Sequence, residues 1–465
     1  MAGRVREWLD ERLGWKALAV RLLDGRVELK GAWLRTSGVT CLVLVLVECV
    51  SGAALAQFYT PSTAAAYKDI QAMQQDHLGR LIRGVHHWGS AALIVLALFA
   101  IARMFFGGEY KRKFDVVWIA ALLFSQIVLL FQLTGHLLPW DTNAVATANV
   151  EGGFVGNLWG IGPFLKRLIL GGSVAGASTL TRWYSLHVTV LPLLLVFLVG
   201  LPLFAYRLHQ GASGSVGPHR SDGPPRERFY PNHMAREMLI ALGVFVLVLV
   251  LAVSRGAPLE LEATAANLEN DYQALAEWYV LPMHALTLIP PFNRVEVEPI
   301  ATVVLPGGLF LILLALPFID RNPSRRFAKR PFAAAAGVVV IGGTILLYGY
   351  AYIRERPLAT KQNERIATAK CERAPVVDAN LAVKGKELYD KLTPACNTCH
   401  AIIGKGGTTG PDLTHAGTLH PDRDWQIEHL IRPESRVPGS TMPAYGSIAK
   451  PDEIRALAEY MLSLR

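Results

Sequence analysis

The sequence predicts an all-α protein in two parts, a membrane bundle of seven helices followed by a small soluble helical domain. Three observations carry this. Of 465 residues, 52% are hydrophobic and 18% charged, too apolar for an ordinary soluble protein and too charged for a purely embedded one. Seven apolar stretches approach the roughly 20 residues that cross a bilayer as a helix: 39–59, 84–105, 115–137, 183–206, 237–254, 300–319 and 332–353. After 353 the composition shifts to a soluble run that starts near Pro375.

Taken in order, residues 1–36 are charged, and REWLDERLGWKALAVRLL reads as an amphipathic surface helix rather than a cleavable signal. The 103–113 stretch, the 207–236 loop and DRNPSRRFAKR at 320–330 are basic, whereas 256–299 carries ELE, LEND and EVE. The positive-inside rule then places the N-terminus in the cytoplasm, and seven crossings put the tail in the periplasm of a bacterial inner membrane. QGASGSVGPHRSDGPPRE at 210–227 reads as a flexible joint between a four-helix and a three-helix half. The expected divisions are 1–36, a bundle at 37–209, a linker at 210–236, a second half at 237–353, a linker at 354–374 and a soluble domain at 375–465. The net charge of +9 follows the loops between spans and does not read as a nucleic-acid patch. Five cysteines give no disulfide framework.

The most specific signal is ACNTCHA at 395–401. CxxCH is the attachment motif of a covalent c-type haem, with Cys396 and Cys399 forming thioethers and His400 reaching the iron. The opposite iron face takes a soft or imidazole ligand, which Met442 in GSTMPAYG offers; Met461 sits in a helical pattern and reads as core. The segment resembles a class I monohaem cytochrome c: GKELYDKL leads into the motif, GPDL follows, and DEIRALAEYMLSL closes the fold. Thioether haem is attached outside the cytoplasm, which agrees with the predicted topology.

An ionisable residue at membrane depth marks function by default. His86 and His187 each begin a span on the same predicted side, which suits bis-histidine haem ligation within a helical bundle. Around them stand GRLIRGVHHW, GHLLPWD, STLTRWYSLH and EWYVLP, in that order. With these motifs the membrane part resembles the cytochrome b of quinol-oxidising bc and bf complexes, nearest the bf type. The resemblance implies that His86 and His187 hold a periplasmic-side haem b, with Arg83 near its propionates. It also implies that Gly52 and Gly135 let two helices approach the ring closely, as a residue without Cβ can.

The family carries a second b haem, about 22 Å deeper for some 15 helical residues. Here the corresponding positions hold Ala100 and Leu201 or Pro202, none of which ligates iron, and Ala121 replaces a family glycine while Gly38 survives. One haem b and one haem c are therefore expected. The family's quinol-oxidising motif reads AEWY, so Glu277 would take the quinol proton and Tyr279 would line the pocket. Glu48, within the first span, reads either as part of a proton or quinone path where the second haem is missing or as a neutral hydrogen-bonded acid.

The implied function is a quinol:cytochrome c oxidoreductase subunit, with a conventional Q cycle left without its relay. Its expected partners are lipid, quinone, a Rieske-type iron–sulfur protein or another redox subunit, and a soluble periplasmic electron carrier, within a homodimer or larger complex. The competing class is a quinone-linked anchor that wires electrons for a partner dehydrogenase or reductase.

Overall fold

The computed structural model describes residues 10, 15–23, 26–28, 37–111, 114–206, 226–263, 274, 276–355, 377–403, 405–407, 410–437, 440 and 442–464. Most of the N-terminal segment, the 210–225 joint and nearly all of the 354–374 linker fall outside these. The chain divides into two compact units, one covering Met1–Ala263 and Ala274–Arg356, the other Thr264–Gln273 and Pro357–Arg465.

In the first unit, α1 (Trp15–Leu23) precedes α2 (Gly38–Ala56), the short α3 (Ala66–Gln75), α4 (His77–Gly107) and α5 (Asp115–Leu137). Then come α6 (Thr142–Gly156), α7 (Gly162–Leu170), α8 (Ala177–Tyr206), α9 (Phe229–Arg255), α10 (Leu281–Thr287), α11 (Ile300–Ile319) and α12 (Pro331–Ile353). Seven of these helices, among the described residues, are long and apolar enough to cross a membrane: α2, α4, α5, α8, α9, α11 and α12. They match the seven predicted stretches, but α4, α8 and α9 start earlier. The Asp76 carboxylate caps α4 by accepting the Gly79 N–H at 2.7 Å, so the polar turn HLGR is already helical.

Outward faces stay apolar and exposed. On α2, Leu42, Leu46 and Val50 are exposed while Thr40, Leu44 and Ser51 are buried, the spacing of a helix with lipid on one face and helices on the other. The joint at 210–227 does not separate two packing units. Helix α9 lies against α2 and α4, with Val248 and Ala252 packed on Val85, Val47 and Trp88. Gly84 makes this possible, because a Cβ there would stand 3.0 Å from the Ala252 Cα. Glu237 of α9, buried at 3% exposure, accepts the Val39 N–H at 3.0 Å. It thus supplies the start of α2 with a carboxyl cap that Ser37 does not give.

Loops gather at the two ends of the bundle. At one end Asp141 caps α6 through the Ala144 N–H and holds the Glu260 N–H at 3.0 Å, tying α6 to the loop after α9. At the other end Lys111 pairs with Asp320 at 2.8 Å, and Arg330 donates to the Phe105 carbonyl and the Tyr110 hydroxyl, both at 3.1 Å. Arg26–Glu28 forms β1 and pairs antiparallel with β2, Arg226–Arg228.

The second unit is a small helical fold. Its first helix, α13 (Ala379–Lys391), is capped by Asp378, and its last, α15 (Pro451–Ser463), by Glu453 on the Lys450 N–H. The two cross at Gly385, whose missing side chain leaves room for the Ala456 carbonyl. Between them α14 (Arg423–Ile431) completes a core with Tyr389, Leu430, Leu457 and Met461.

Candidate functional site

The imidazoles of His86 and His187 face each other across the bundle, with ring centroids 6.1 Å apart and planes at 72°. Neither marks the mouth of its span: His86 lies nine residues past His77, the start of α4, and His187 ten past Ala177, the start of α8. The two rings are supported in parallel ways. The His86 Nδ1 lies 3.0 Å from the Ser51 hydroxyl, and the His187 Nδ1 lies 3.0 Å from the Thr134 hydroxyl. Both hydroxyl hydrogens are engaged by helix carbonyls, Ser51 on Val47 at 2.8 Å and Thr134 on Leu130 at 2.7 Å. Their oxygens therefore accept from the rings. Among the described residues, that leaves each Nε2 without a hydrogen-bond partner.

Each ring also has a glycine beneath it. A Cβ at Gly52 would stand 3.0 Å from the His86 Cε1, and one at Gly135 would stand 2.8 Å from the His187 Cε1. Ser51–Gly52 on α2 and Thr134–Gly135 on α5 thus form a repeated pair, with the hydroxyl fixing the ring and the glycine giving it space. This donor set fits a haem iron: two imidazoles, each held at the nitrogen that does not ligate. A wide π-type turn at Leu186–Val190 carries His187, and a second follows at Val196–Gly200. Pro192 between them has no N–H to continue an α-helical ladder.

Arg83, buried one turn before His86, donates to the Ala257 carbonyl at 3.0 Å and the Pro258 carbonyl at 2.5 Å. At least two of its donors are thereby committed to the loop after α9. Glu48 lies beside His86, with Oε2 3.0 Å from Nδ1. Of the two readings open for Glu48, its place beside His86 suits an acid bonded within the bundle better than a path where the second haem is missing.

At the same end of the bundle, Glu277 follows the buried Ala276. Its carbonyl accepts the Val280 N–H at 3.0 Å and the Leu281 N–H at 3.2 Å, starting α10. Its carboxylate lies 3.5 Å from the His136 Nδ1. Trp278 and Tyr279 pack against Leu44, Leu93, Ile94 and Val128. Glu151 of α6 is half-buried. Desolvation, then the charge of Glu277, pushes its carboxyl up to about 8. Burial raises the Tyr279 phenol above its ordinary value and lowers His284 to about 4. The Nε2 atoms of His136 and His284 are both buried without a hydrogen-bond partner among the described residues. Two unsatisfied imidazole nitrogens and two carboxyls offer hydrogen-bond partners to a ligand with hydroxyl groups.

Sequence reasoning found Glu277 and Tyr279 but missed Ser51, Thr134, His136, Glu151 and His284. The hydroxyl–glycine repeat was a readable signal for the first two. His136 stands inside GHLLPWD, beside Gly135.

Toward the opposite end of the same helices no such support exists among the described residues. Val199 packs with Ala120, Ile127, Phe124 and Leu203. Leu201 is 48% exposed, and a Cβ at Gly38 would meet nothing within 4 Å.

In the second unit Cys396 is buried and Cys399 partly so, on and just after a short 3-10 turn, Cys396–Thr398. The His400 Nδ1 lies 2.7 Å from the Pro411 carbonyl. A carbonyl can only accept, so Nδ1 carries the hydrogen and Nε2 is free to ligate. Gly410 again leaves room beside the ring, and the Tyr389 hydroxyl holds the His400 carbonyl at 2.8 Å. Two thiols, an oriented imidazole and the nearby Met442, which packs on the core that includes Cys396, fit a covalent haem. Met461 is buried in that core, as expected.

These features define a membrane-integral haem-binding bundle joined to a cytochrome c domain. Residues 91–263 match the family described as cytochrome b(N-terminal)/b6/petB, and residues 380–461 match cytochrome C oxidase, cbb3-type, subunit III. Cytochrome b6 of Prochlorococcus marinus (strain MIT 9303) is 31% identical over 213 residues, 46% of this chain and 97% of that protein. The menaquinol:cytochrome c reductase cytochrome b subunit of Geobacillus thermodenitrificans is 30% identical over 225 residues, 46% of this chain and 100% of that protein. A solved hyperthermophilic respiratory Complex III chain shares the fold, with a TM-score of 0.59 at 22% identity, covering 77% of this chain and 93% of that one. The chain belongs to the cytochrome b/b6 family and carries a cytochrome c domain in addition.

Proposed function

We propose that the protein oxidises quinol at the histidine end of its bundle and passes electrons out through its cytochrome c domain, within a bc-type complex. The reading rests on one placement: the Glu277–His136 pair, 3.5 Å apart, stands at the same end as the paired His86 and His187. Bound between those imidazoles, one haem b would supply a one-electron acceptor. Glu277 takes the quinol hydroxyl proton, His136 holds the carboxylate in place, and Tyr279 forms part of the wall. His400, Met442 and the two thiols hold haem c. A single haem b is supported by Ala100, Leu201 and Pro202 at the family's second ligand positions. The sidedness is supported by the loops. Lys111 and the 320–330 run gather base at one end, while ELE and EVE stand at the histidine end, which is therefore periplasmic. Quinone and a redox partner such as a Rieske-type protein complete the reaction.

The test is the rate of quinol-driven haem reduction in the purified complex. Glu277→Gln slows it by about a hundredfold, the lower range for a lost general base; an unchanged rate removes Glu277 from the reaction. A pyridine haemochrome assay gives one haem b per haem c, and two b per c overturns the single-haem reading.

A further inference from the structure

The two histidine supports are alike except at one place. Three residues before Ser51 stands Glu48; three residues before Thr134 stands Phe131. Phe131 sets its ring edge-on to His187, centroids 5.3 Å apart and planes at 88°, whereas Glu48 brings its carboxyl group to the His86 Nδ1 at 3.0 Å. The bundle makes room for it. A Cβ at Gly89, one turn past His86, would occupy the position of the Glu48 Oε1. That oxygen is buried and has no hydrogen-bond partner among the described residues.

We propose that Glu48 is a positioning residue for haem b: through His86 it fixes the imidazole and lowers the reduction potential. The proposal rests on the reading of His86 as an iron ligand. A ring that ligates through Nε2 carries its hydrogen on Nδ1, so the oxygens of Ser51 and Glu48, both at 3.0 Å, stand as acceptors for that one hydrogen. A carboxyl oxygen accepting from a ligand imidazole makes that imidazole a stronger donor and favours the oxidised iron. A hydroxyl does this weakly and a phenyl edge not at all. The two iron faces therefore differ electronically though the ligands are chemically the same. Because the added acceptor lies on the chain's own first span, the potential is set within this subunit rather than by a partner.

The experiment is a potentiometric titration of haem b, with electron paramagnetic resonance of its oxidised form, in the purified complex carrying Glu48→Gln, Gly89→Ala or Glu48→Asp. Glu48→Gln keeps the shape and an amide oxygen but loses the stronger acceptor. It should shift the potential upward and move the low-spin g values while haem b stays at one per haem c. Gly89→Ala displaces the intact carboxyl and should shift both in the same direction. A retained haem with unmoved potential and g values in Glu48→Gln overturns the proposal. Should Glu48→Gln lose the haem, its retention in Glu48→Asp supports the proposal, and its loss from both overturns it in favour of packing. His86→Leu separates the underlying reading: haem b surviving there overturns the ligand assignment itself.

Discussion

The two ends of the four-helix half are built from the same helices to opposite specifications. At the histidine end polar groups gather around the rings: two hydroxyls hold two imidazoles, two glycines lie beneath them, and a carboxyl backs one. At the other end Ala120, Ile127 and Val199 close the space with one another, and the surviving Gly38 faces nothing within 4 Å. The comparison teaches that a cofactor site in a membrane bundle is more than its ligands. Ligand, hydroxyl support and glycine come as a set at the histidine end. An unpartnered polar group at membrane depth costs more than an apolar filling, so an end that holds no haem would have no use for such scaffolding.

The largest effect that tests this contrast comes from removing a ligand. His187→Leu should abolish haem b while haem c remains, so the haemochrome ratio falls from one b per c to none. Any haem b left in that variant would mean that the ligands lie elsewhere, for instance at the end read here as closed. The c domain serves as the internal reference, because its ligand His400 is fixed independently by the Pro411 carbonyl.

A finer test uses one substitution at both ends. Gly135→Ala puts a methyl 2.8 Å from the His187 ring, whereas Gly38→Ala meets open space. The first should weaken haem retention by about 1–3 kcal/mol, the usual cost of overpacking. The second should lie within about 0.5 kcal/mol of wild type, as surface changes do. Retention under a haem-competing apoprotein measures both. Equal losses would show that Gly38 still lines a site and would break the comparison.

How much of this was legible follows from what each residue must do. The seven spans were readable because bilayer thickness dictates their length, and the CxxCH site because covalent chemistry fixes its spacing. His86 and His187 were readable because histidine is rare at membrane depth. Glu277 was found through its motif. The true starts of α4, α8 and α9 were not readable, since polar turns such as HLGR carry no apolar signal beyond the membrane. Glu48 was noticed, but two readings of it stayed open. Linear position puts it in mid-span, and only the packing of α2 against α4 brings its carboxyl to His86. His136, Glu151 and His284 come from three separate helices, so no window of sequence contains their meeting.

The smallest expected effect concerns Glu151, and it asks whether the pocket at the histidine end works as a unit. Its carboxyl is pushed up to about 8 by desolvation and then by Glu277, so it is neutral at pH 7 and gains charge as pH rises through that value. A second negative charge beside Glu277 opposes formation of the anion as quinol loses its proton. Quinol-driven haem reduction should therefore fall on the alkaline side, by about a factor of two at pH 8, where half of Glu151 is charged. His284 is lowered to about 4 and Tyr279 is raised above its ordinary value, so neither changes charge in this window. Glu151→Gln should remove the inflection. The linked stability has the same origin: a carboxyl whose folded pKa exceeds its unfolded value of about 4.3 makes the fold less stable as pH climbs between the two. The variant should be free of that slope in a thermal-unfolding series at rising pH. If the kinetic inflection persists in Glu151→Gln while the stability slope disappears, Glu151 is a buried acid of the fold and Glu277 works without it.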